Sequence, residues 1–302
     1  IDDPALNADF SSDSVTALGF KSDSLALKLR LSRFASALEG SLEITGGSYH
    51  FDRFEGDSLY TDVVFDSNRI IFDTLNLFSQ RVNLQSRMTM EFSDSLTQIT
   101  APVLKLTIDT FAVSALEPIR FSMADTTWSI DNLELRSENG SLSAQGNYYG
   151  PDSLAFSLTC DTINLTPVFD FYLPRQGLAG IGRFEASLKG SISAPRFDLK
   201  GAIDSVRFQE QYYGLMDFDI DYSDSTLHIT RLTLVSGENS SSFSGTIPIN
   251  LAFEEVEERI IVDRDINIDV DATSTPLFLL PVVLPDVEWV EGENKLDMML
   301  TG

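Results

Sequence analysis

The sequence predicts an all-β protein built from antiparallel strands, on three observations. Apolar and polar residues alternate in short runs along almost the whole chain. Turn-forming residues separate these runs about every 8–12 residues, a rhythm typical of all-β proteins, as at residues 138–140 (ENG) and 149–152 (YGPD). Few long windows show the spacing of about 3.6 residues that marks an amphipathic helix.

The run that begins at Leu25, LALKLRL, shows the alternation most simply, because leucines at every second position oppose Lys28 and Arg30. Successive side chains of a strand point to opposite faces, so such a run has one apolar face and one wet face. We predict that the apolar residues of this and similar runs line one groove. The predicted lining residues are Leu25, Leu27, Leu29, Leu84, Met88, Met90, Leu154, Phe156, Leu158, Phe184, Leu188, Phe218, Ile220, Ile247, Ile249, Leu251, Ile266, Ile268, Val270, Leu296, Met298 and Leu300.

So many one-sided strands must cover their apolar faces. A sandwich does so with a second sheet, and a barrel does so by closure. A long sheet that curls over itself also covers its apolar face and leaves a groove inside. The alternation alone is compatible with all three architectures.

Charge excludes one class of function. The 302 residues include 46 acidic and 21 basic side chains, and the formal net charge is −25. Such a surface repels nucleic-acid phosphates, so we expect no nucleic-acid binding. It also disfavours contact of the outer surface with anionic lipid headgroups.

The chain reads as a segment of a longer protein, since it begins at Ile1 without a signal peptide and ends just after a strand-like run. The most apolar run, residues 276–285, is too short and too rich in proline to span a bilayer. Any membrane anchor is therefore expected outside the segment.

Internal repeats divide the segment into quasi-repeat units of residues 1–125, 126–225 and 226–302. The segment 130–146 aligns without gaps to 229–245, and TPVFDFYLP from Thr166 is echoed by TPLFLLPVVLP from Thr275. Large repeats of this kind suggest an elongated stack. Each Thr-Pro pair resembles an N-cap followed by proline at the first helical position. It predicts short apolar helices at 168–173 and 277–280, with an irregular apolar crossover as the alternative.

Residues that would carry catalysis or hold a metal are sparse. His50 and His228 are far apart in sequence, each within a strand-like run, and no nucleophile elbow or phosphate loop occurs. The aspartates at 217–224 and 263–271 are spaced by two, which places them in rows on a solvated strand face rather than around a calcium ion. Cys160 shares the apolar face with Leu158, which predicts a small buried hydrophobe. We expect no enzyme activity, no cofactor and no metal.

The segment 184–201, FEASLKGSISAPRFDLKG, resembles the linker of TamB-like proteins, in which an alternating strand ends in glycine, a proline follows, and a glycine-led strand begins. The order of strands and turns from Tyr212 to Leu251 is also similar to this family and to its AsmA-like relatives. The similarity covers roughly residues 130–302.

The resemblance implies a β-taco fold, which is an elongated, curled antiparallel β-groove with a hydrophobic interior. It further implies transport of phospholipids between the inner and outer membranes, in support of outer-membrane assembly and homeostasis. The implied location is the periplasm of a diderm bacterium, with an inner-membrane anchor outside this segment. The implied partners are phospholipid acyl chains, the two membranes through other regions, and an outer-membrane barrel protein.

Two functions therefore compete. In the first, acyl chains lie against the apolar face, and the chain is a conduit for lipids. In the second, the chain is a structural or adhesive surface β-protein with a packed, dry core. The state of the interior distinguishes them, because only a conduit needs an accessible apolar lining.

Overall fold

The structure is a computed structural model that describes residues 4–17, 19–33, 37–51, 54–172, 177–208, 211–237, 239–256, 258–261, 263–273 and 295–301. Strands account for 74% of the residues, and the described part contains one short helix. All of the strand pairs with a described register are antiparallel. The predicted fold class is therefore confirmed. The second predicted helix, at 277–280, lies outside the described residues.

The chain consists of two compact units, which are Ile1–Asn147 and Tyr148–Gly302. The boundary falls within one strand, Ser141–Tyr149, and each unit is described separately below. A single groove through residues 1–302, and the three quasi-repeat units, remain predictions.

The first unit consists of antiparallel strands that form two sheets. Its strands are β1 (Leu6–Ser12), β2 (Val15–Ala17), β3 (Phe20–Ser22), β4 (Leu25–Arg33), β5 (Glu39–Gly46), β6 (Tyr49–Phe51), β7 (Phe54–Gly56), β8 (Ser58–Asp66), β9 (Arg69–Phe78), β10 (Val82–Phe92), β11 (Thr97–Ile108), β12 (Phe111–Ala115), β13 (Ile119–Ala124), β14 (Thr127–Arg136) and β15 (Ser141–Tyr149).

The main sheet of the first unit pairs β1 with β4, and then β5, β8, β9, β10 and β11 follow in that order. Both β12 and β13 pair with β11 on one side and with β14 on the other. A tight turn leads from β14 into β15, in which the Ser137 N–H donates to the Gly140 carbonyl at 2.8 Å.

A second, four-stranded sheet in the first unit has the order β2-β3-β6-β7. One or two residues separate each of its strands from a strand of the main sheet: β2 follows β1, β3 precedes β4, β6 follows β5, and β7 precedes β8. Asp23-Ser24 and Gly47-Ser48 are two of these short polar breaks. The Asp23 N–H donates to the Ser48 carbonyl at 3.0 Å, which ties two breaks together. Strands that change sheets at such breaks make a corner.

Bulges interrupt the main sheet of the first unit along one line. Asp73 is the extra residue of β9 against both β8 and β10, and its carbonyl accepts a hydrogen bond from Arg87 Nε at 3.3 Å. On β11, Pro102 lies in the next bulge, where its missing N–H costs no ladder bond. A bulge bends its strand, so aligned bulges curl the sheet.

The second unit contains long strands and the helix. Its elements, after the end of β15, are β16 (Leu154–Asn164), α1 (Thr166–Tyr172), β17 (Ala179–Gly190), β18 (Pro195–Phe208), β19 (Gln211–Ser223), β20 (Thr226–Ser236), β21 (Asn239–Pro248), β22 (Asn267–Thr273) and β23 (Lys295–Thr301). The strands β16 to β23 pair in chain order.

The helix α1 begins earlier than the Thr-Pro pattern predicted. The Leu165 carbonyl accepts the first helical bond, from the Phe169 N–H at 2.9 Å, so Leu165 and not Thr166 is the N-cap residue. The Asn164 side chain accepts a hydrogen bond from the Thr166 N–H at 3.1 Å. The predicted helix is therefore present, but its predicted cap is wrong by one residue.

The second unit also has a line of bulges. Extra residues occur in β16 at Asp161-Thr162 and in β18 at Asp204-Ser205. Thr162 and Ser205 have φ of 54° and 55°, a left-handed backbone conformation that residues other than glycine seldom adopt. These bends lie near the end of β16 that leads into α1.

Gly201 of β18 lies where two aromatic rings meet. Phe184 of β17 and Phe218 of β19 flank Gly201 in register, and their ring centroids are 6.5 Å apart across the intervening strand. A Cβ on Gly201 would overlap the Arg183 carbonyl oxygen and the Phe184 Cβ. The missing side chain therefore allows the two rings to touch.

We expect Gly201→Ala to lower the free energy of unfolding by about 1–3 kcal/mol, the usual cost of overpacking. Ala155→Val is the control, because Ala155 is exposed on the opposite face of β16. The control should change the stability by less than about 0.5 kcal/mol. Urea unfolding of both variants tests the expectation, and equal stabilities would contradict it.

Candidate apolar groove

The apolar residues of the second unit form rows that cross the strands. Directly opposed residues of antiparallel strands point to the same side of the sheet, so the register identifies the residues that share a face. One such row runs from β16 to β23. In strand order, its positions are Cys160, Phe184, Gly201, Phe218, Leu232, Phe243, Val270 and Met298.

Two further rows lie beside the first row on the same face. The next row has the positions Leu158, Ala186, Leu199, Ile220, Ile229, Gly245, Ile268 and Leu300. The row beyond it has Phe156, Leu188, Phe197, Tyr222, Leu227 and Ile247. The three rows together make a continuous apolar face.

Most of the predicted lining residues of the second unit occupy these rows. Leu154 begins β16 on the same face, and Leu296 is in register with Ala272 on the other side of the first row. Three predicted residues lie outside the strands. Ile249 forms a single bridge with Ile260, Leu251 belongs to an irregular segment, and Ile266 directly precedes β22. The strand alternation that predicted these three residues does not extend to them.

Burial of this face is incomplete. Phe156, Leu158, Phe184 and Ile220 are all half-buried, although each lies within the sheet and not at its edge. Among the described residues of this unit, the buried hydrophobic side chains are Leu154, Cys160, Ile163, Tyr213, Phe218, Tyr222, Leu234, Ala252 and Val270. The apolar face thus combines a buried floor with side chains that remain accessible.

The opposite face of the second unit is polar and charged. Lys200 pairs with Asp219 at 3.3 Å, and Arg231 pairs with Asp217 at 3.4 Å. His228 stands in register with Asp221 on this face. The aspartate row of β19 therefore lies on the face opposite the apolar rows, as the alternation predicted, and its side chains there are half-buried. Surface pairs of this kind contribute only about 0–1 kcal/mol each to stability, so they add little to the stability of the sheet.

The first unit has an apolar face of the same kind. The predicted residues Leu25 and Leu84 lie in one row, Leu29 and Met88 lie in another, and Leu27 and Met90 occupy neighbouring rows. The row of Leu25 is Ser12, Leu25, Gly46, Leu59, Leu77, Leu84, Leu106 and Val113. The row of Leu29 is Ala8, Leu29, Leu42, Val63, Phe72 and Met88. All six predicted residues of this unit are half-buried.

Two hydroxyl groups interrupt the apolar face of the first unit. Thr61 and Ser86 flank Leu75 in the row of Leu27. The Ser86 hydroxyl donates to the Val103 carbonyl at 2.9 Å, whereas the buried Thr61 hydroxyl has no hydrogen-bond partner in the described part of the chain. A buried hydroxyl without a partner is destabilising, so Thr61 is a weak point of this face.

Leu165, the residue that precedes α1, covers one end of the second unit's strands. Leu165, just before the helix, donates its N–H to the Gly180 carbonyl at 2.9 Å. A Cβ on Gly182 would lie 2.7 Å from Leu165 Cδ1, so the leucine packs directly on the glycine. Because Gly182 is in register with Ile163 and Ile203, Leu165 covers the apolar face there.

An irregular segment, residues 249–256, covers the other end of the same strands. The Leu251 N–H donates to the Tyr222 hydroxyl at 2.8 Å, and the Phe253 N–H donates to the Ile192 carbonyl at 2.8 Å. Tyr222 is 2% exposed and stacks on Phe197 with ring centroids 5.1 Å apart. The segment thus runs from the β19–β20 turn to the β17–β18 turn, along one end of these strands.

Strand bulges explain why the alternation did not predict some residues of the apolar faces. In β20, Ile229 and Leu232 both belong to the apolar face, because Thr230 is an extra residue in the ladder. In β9, Phe72 and Leu75 share a face for the same reason, with Asp73 as the extra residue. A strict period of two fails at these sites. The spacing of three between large apolar residues in HITRLTL was the signal available in the sequence.

The described residues include few side-chain groups suited to catalysis or metal binding. No group of three or more histidine, cysteine, aspartate or glutamate side chains there could hold a metal ion. His50 is exposed and lies 3.2 Å from Glu55 on the small sheet of the first unit. In the same part of the chain, no helix has the length and hydropathy to cross a bilayer.

Comparison of the chain with protein-family models, with curated proteins and with solved structures finds no match. The TamB-like and AsmA-like relationship therefore remains a hypothesis that rests on the sequence pattern.

Cys160 is buried in the folded chain. Its side chain is 1% exposed, and its Sγ donates to the Gly182 carbonyl at 3.7 Å. Burial raises the pKa of the thiol, with a smaller contribution from Asp161. Since the thiolate is the reacting species, we expect iodoacetamide at pH 8 to modify Cys160 slowly in buffer and rapidly in urea.

The control is Thr159→Cys in a Cys160→Ser background, since position 159 is exposed on the opposite face. It should react in buffer at the rate of a free cysteine. Mass spectrometry gives both rates, and equal rates in buffer would show that the face around Cys160 is open to water.

Proposed function

We propose that this chain binds lipid acyl chains on the apolar faces of its two units and is a non-enzymatic conduit for phospholipids between membranes. The observation that carries the proposal is the set of rows in which large apolar side chains cross many strands and many of them stay half-buried. Soluble proteins seldom leave extended apolar patches open to water unless a ligand or a partner covers them.

The dimensions of a row suit an acyl chain. From β16 to β22 there are six strand spacings of about 4.8 Å, which gives about 29 Å. The hydrocarbon core of a bilayer is about 30 Å thick and holds two layers of chains, so one chain needs about half a row. Each methylene that leaves water contributes roughly 0.8 kcal/mol, and no specific headgroup pocket is needed.

The sequence resemblance supplies the cellular setting of the proposal. In that setting the chain lies in the periplasm of a diderm bacterium and is anchored to the inner membrane through a region outside residues 1–302. It reaches the outer membrane through other regions and an outer-membrane barrel protein, and it supports outer-membrane assembly. The acidic, solvated face of each unit is compatible with an aqueous compartment.

A structural or adhesive role is the competing function. The observation that favours it is the cover that Leu165 and residues 249–256 give to the strand ends of the second unit. If such cover extended over the middle of the face, the interior would be a packed core, and the function would lie on the outer surface.

Ile220→Arg separates the two functions, with Thr233→Arg as its matched control. Ile220 lies on the apolar face of β19, whereas Thr233 of the neighbouring strand lies opposite Asp217 on the polar face. In a conduit, the new arginine reaches water along the open groove. It should then cost less than about 2 kcal/mol of stability but remove most of the bound lipid. Thr233→Arg should keep both the fold and the lipid.

The measurements are thermal unfolding and mass spectrometry of lipids extracted from each purified protein. Wild-type protein without lipid, together with unfolding of Ile220→Arg, would refute the conduit and support the packed core.

A further inference from the structure

The apolar face of the first unit ends at the β10–β11 and β13–β14 turns in one row of side chains, which we call the rim row. In strand order across β10, β11, β13 and β14, its members are Phe92, Thr97, Met123 and Trp128. Directly inside it lies an apolar row with the members Met90, Ile99, Phe121 and Ile130. The rim row is therefore the boundary between the apolar face and the turns.

The large side chains of the rim row remain accessible to solvent. Phe92 is 38% exposed and Met123 is 45% exposed, although the register places both on the apolar face. Trp128 is half-buried, and its ring lies beside that of Phe121 with ring centroids 6.0 Å apart. An indole in such a place has apolar neighbours on one side and water on the other. The rim row thus presents aromatic rings where the apolar face meets water.

The two turns next to the rim row are acidic. Asp94 lies in the β10–β11 turn and Asp125 lies in the β13–β14 turn, and both residues are exposed. Because β11 pairs with β13, the two turns are side by side, about two strand spacings or roughly 10 Å apart.

Neither of these carboxylates is neutralised by a neighbouring cation. Among the described residues, Asp94 and Asp125 belong to no ion pair. Arg69, at the start of β9 on the same edge of the sheet, is already paired with Asp66 at 3.2 Å. This edge therefore combines aromatic rings with uncompensated negative charge.

We propose that the rim row binds the ammonium headgroup of an amphiphile whose acyl chain lies on the adjacent apolar row. This inference rests on the proposed function and adds to it the class of headgroup. Tryptophan makes the strongest cation–π contact of the aromatic side chains, and quaternary ammonium groups are typical ligands of aromatic sites. The carboxylates of Asp94 and Asp125 attract the same charge, and a headgroup without an ammonium gains neither contact.

The general charge of the protein also attracts cations, since the net charge is −25. This attraction does not depend on Trp128. At an ionic strength of about 0.15 M, charges more than about 8 Å away are largely screened, whereas the contact of an ammonium with an adjacent ring is retained. Under these conditions the local contacts of the rim row decide which headgroup is preferred.

Two amphiphiles with the same dodecyl tail test the proposal, dodecylphosphocholine with an ammonium and dodecyl maltoside without one. Isothermal titration below their critical micelle concentrations, at an ionic strength of about 0.15 M, gives both affinities. We expect the wild type to bind dodecylphosphocholine at least about fivefold more tightly, and choline alone to show no detectable binding. Trp289, the second tryptophan of the sequence, lies outside the described residues. In a Trp289→Phe background, dodecylphosphocholine should change the fluorescence of Trp128 saturably.

Trp128→Leu keeps an apolar side chain but removes the aromatic face. It should lower the preference for dodecylphosphocholine about three- to fivefold and retain the binding of dodecyl maltoside. Asp125→Asn is the second variant if Trp128→Leu fails to fold, because asparagine also adopts the left-handed φ of 47° found there. It should lower the preference by a smaller factor. Tyr212→Leu is the matched control, since it removes a ring that is 56% exposed in the second unit, and it should change neither affinity.

The possible failures distinguish the headgroup site from the conduit. Equal affinities of the wild type for the two amphiphiles, or an undiminished preference in folded Trp128→Leu, would overturn the headgroup site and leave the conduit standing. Binding of choline alone as tightly as dodecylphosphocholine would overturn the amphiphile as the occupant. Failure of both amphiphiles to bind would overturn the conduit and the headgroup site together.

Discussion

Both units depend on one constraint, which is that successive side chains of each strand point to opposite faces of the sheet. A shift of one residue in any pairing would turn the apolar set of a strand toward the charged face. The registers keep large apolar side chains in common rows across the second unit, and Asp217, Asp219 and Asp221 alternate with them on the other side. Hydrophobic burial and ion pairing thus select the same register, which makes it a strongly specified feature of the fold.

The two faces of the second unit differ in chemistry. The apolar face has long, weakly covered rows without fixed polar partners, so it suits flexible chains that are recognised by area. The polar face of the second unit has the reverse character, because aspartates there stand in ion pairs such as Lys200–Asp219 and Arg231–Asp217.

Much of the fold could be predicted from the sequence because a period of two is a property of single strands. The strand class, the polar aspartate row and the burial of Cys160 all follow from it. The bulges could not be predicted, since a residue such as Asp73 or Thr230 becomes extra only when the neighbouring strands are paired. For the same reason the alternation missed Leu232, and it placed Ile249 and Leu251 on a strand that ends at Pro248.

The bulges bear on how such a chain can change length during evolution. At Thr230 of β20 the ladder already accommodates an extra residue, so a gain or loss of one residue is absorbed locally. The side chains beyond the bulge then keep pointing to the same faces of the sheet. A single insertion in a stretch without a bulge, such as Leu25 to Leu31 of β4, would invert every side chain that follows. Insertions of one residue in homologous chains should therefore cluster at these bulges, whereas regular stretches should change length in pairs of residues or only at the turns.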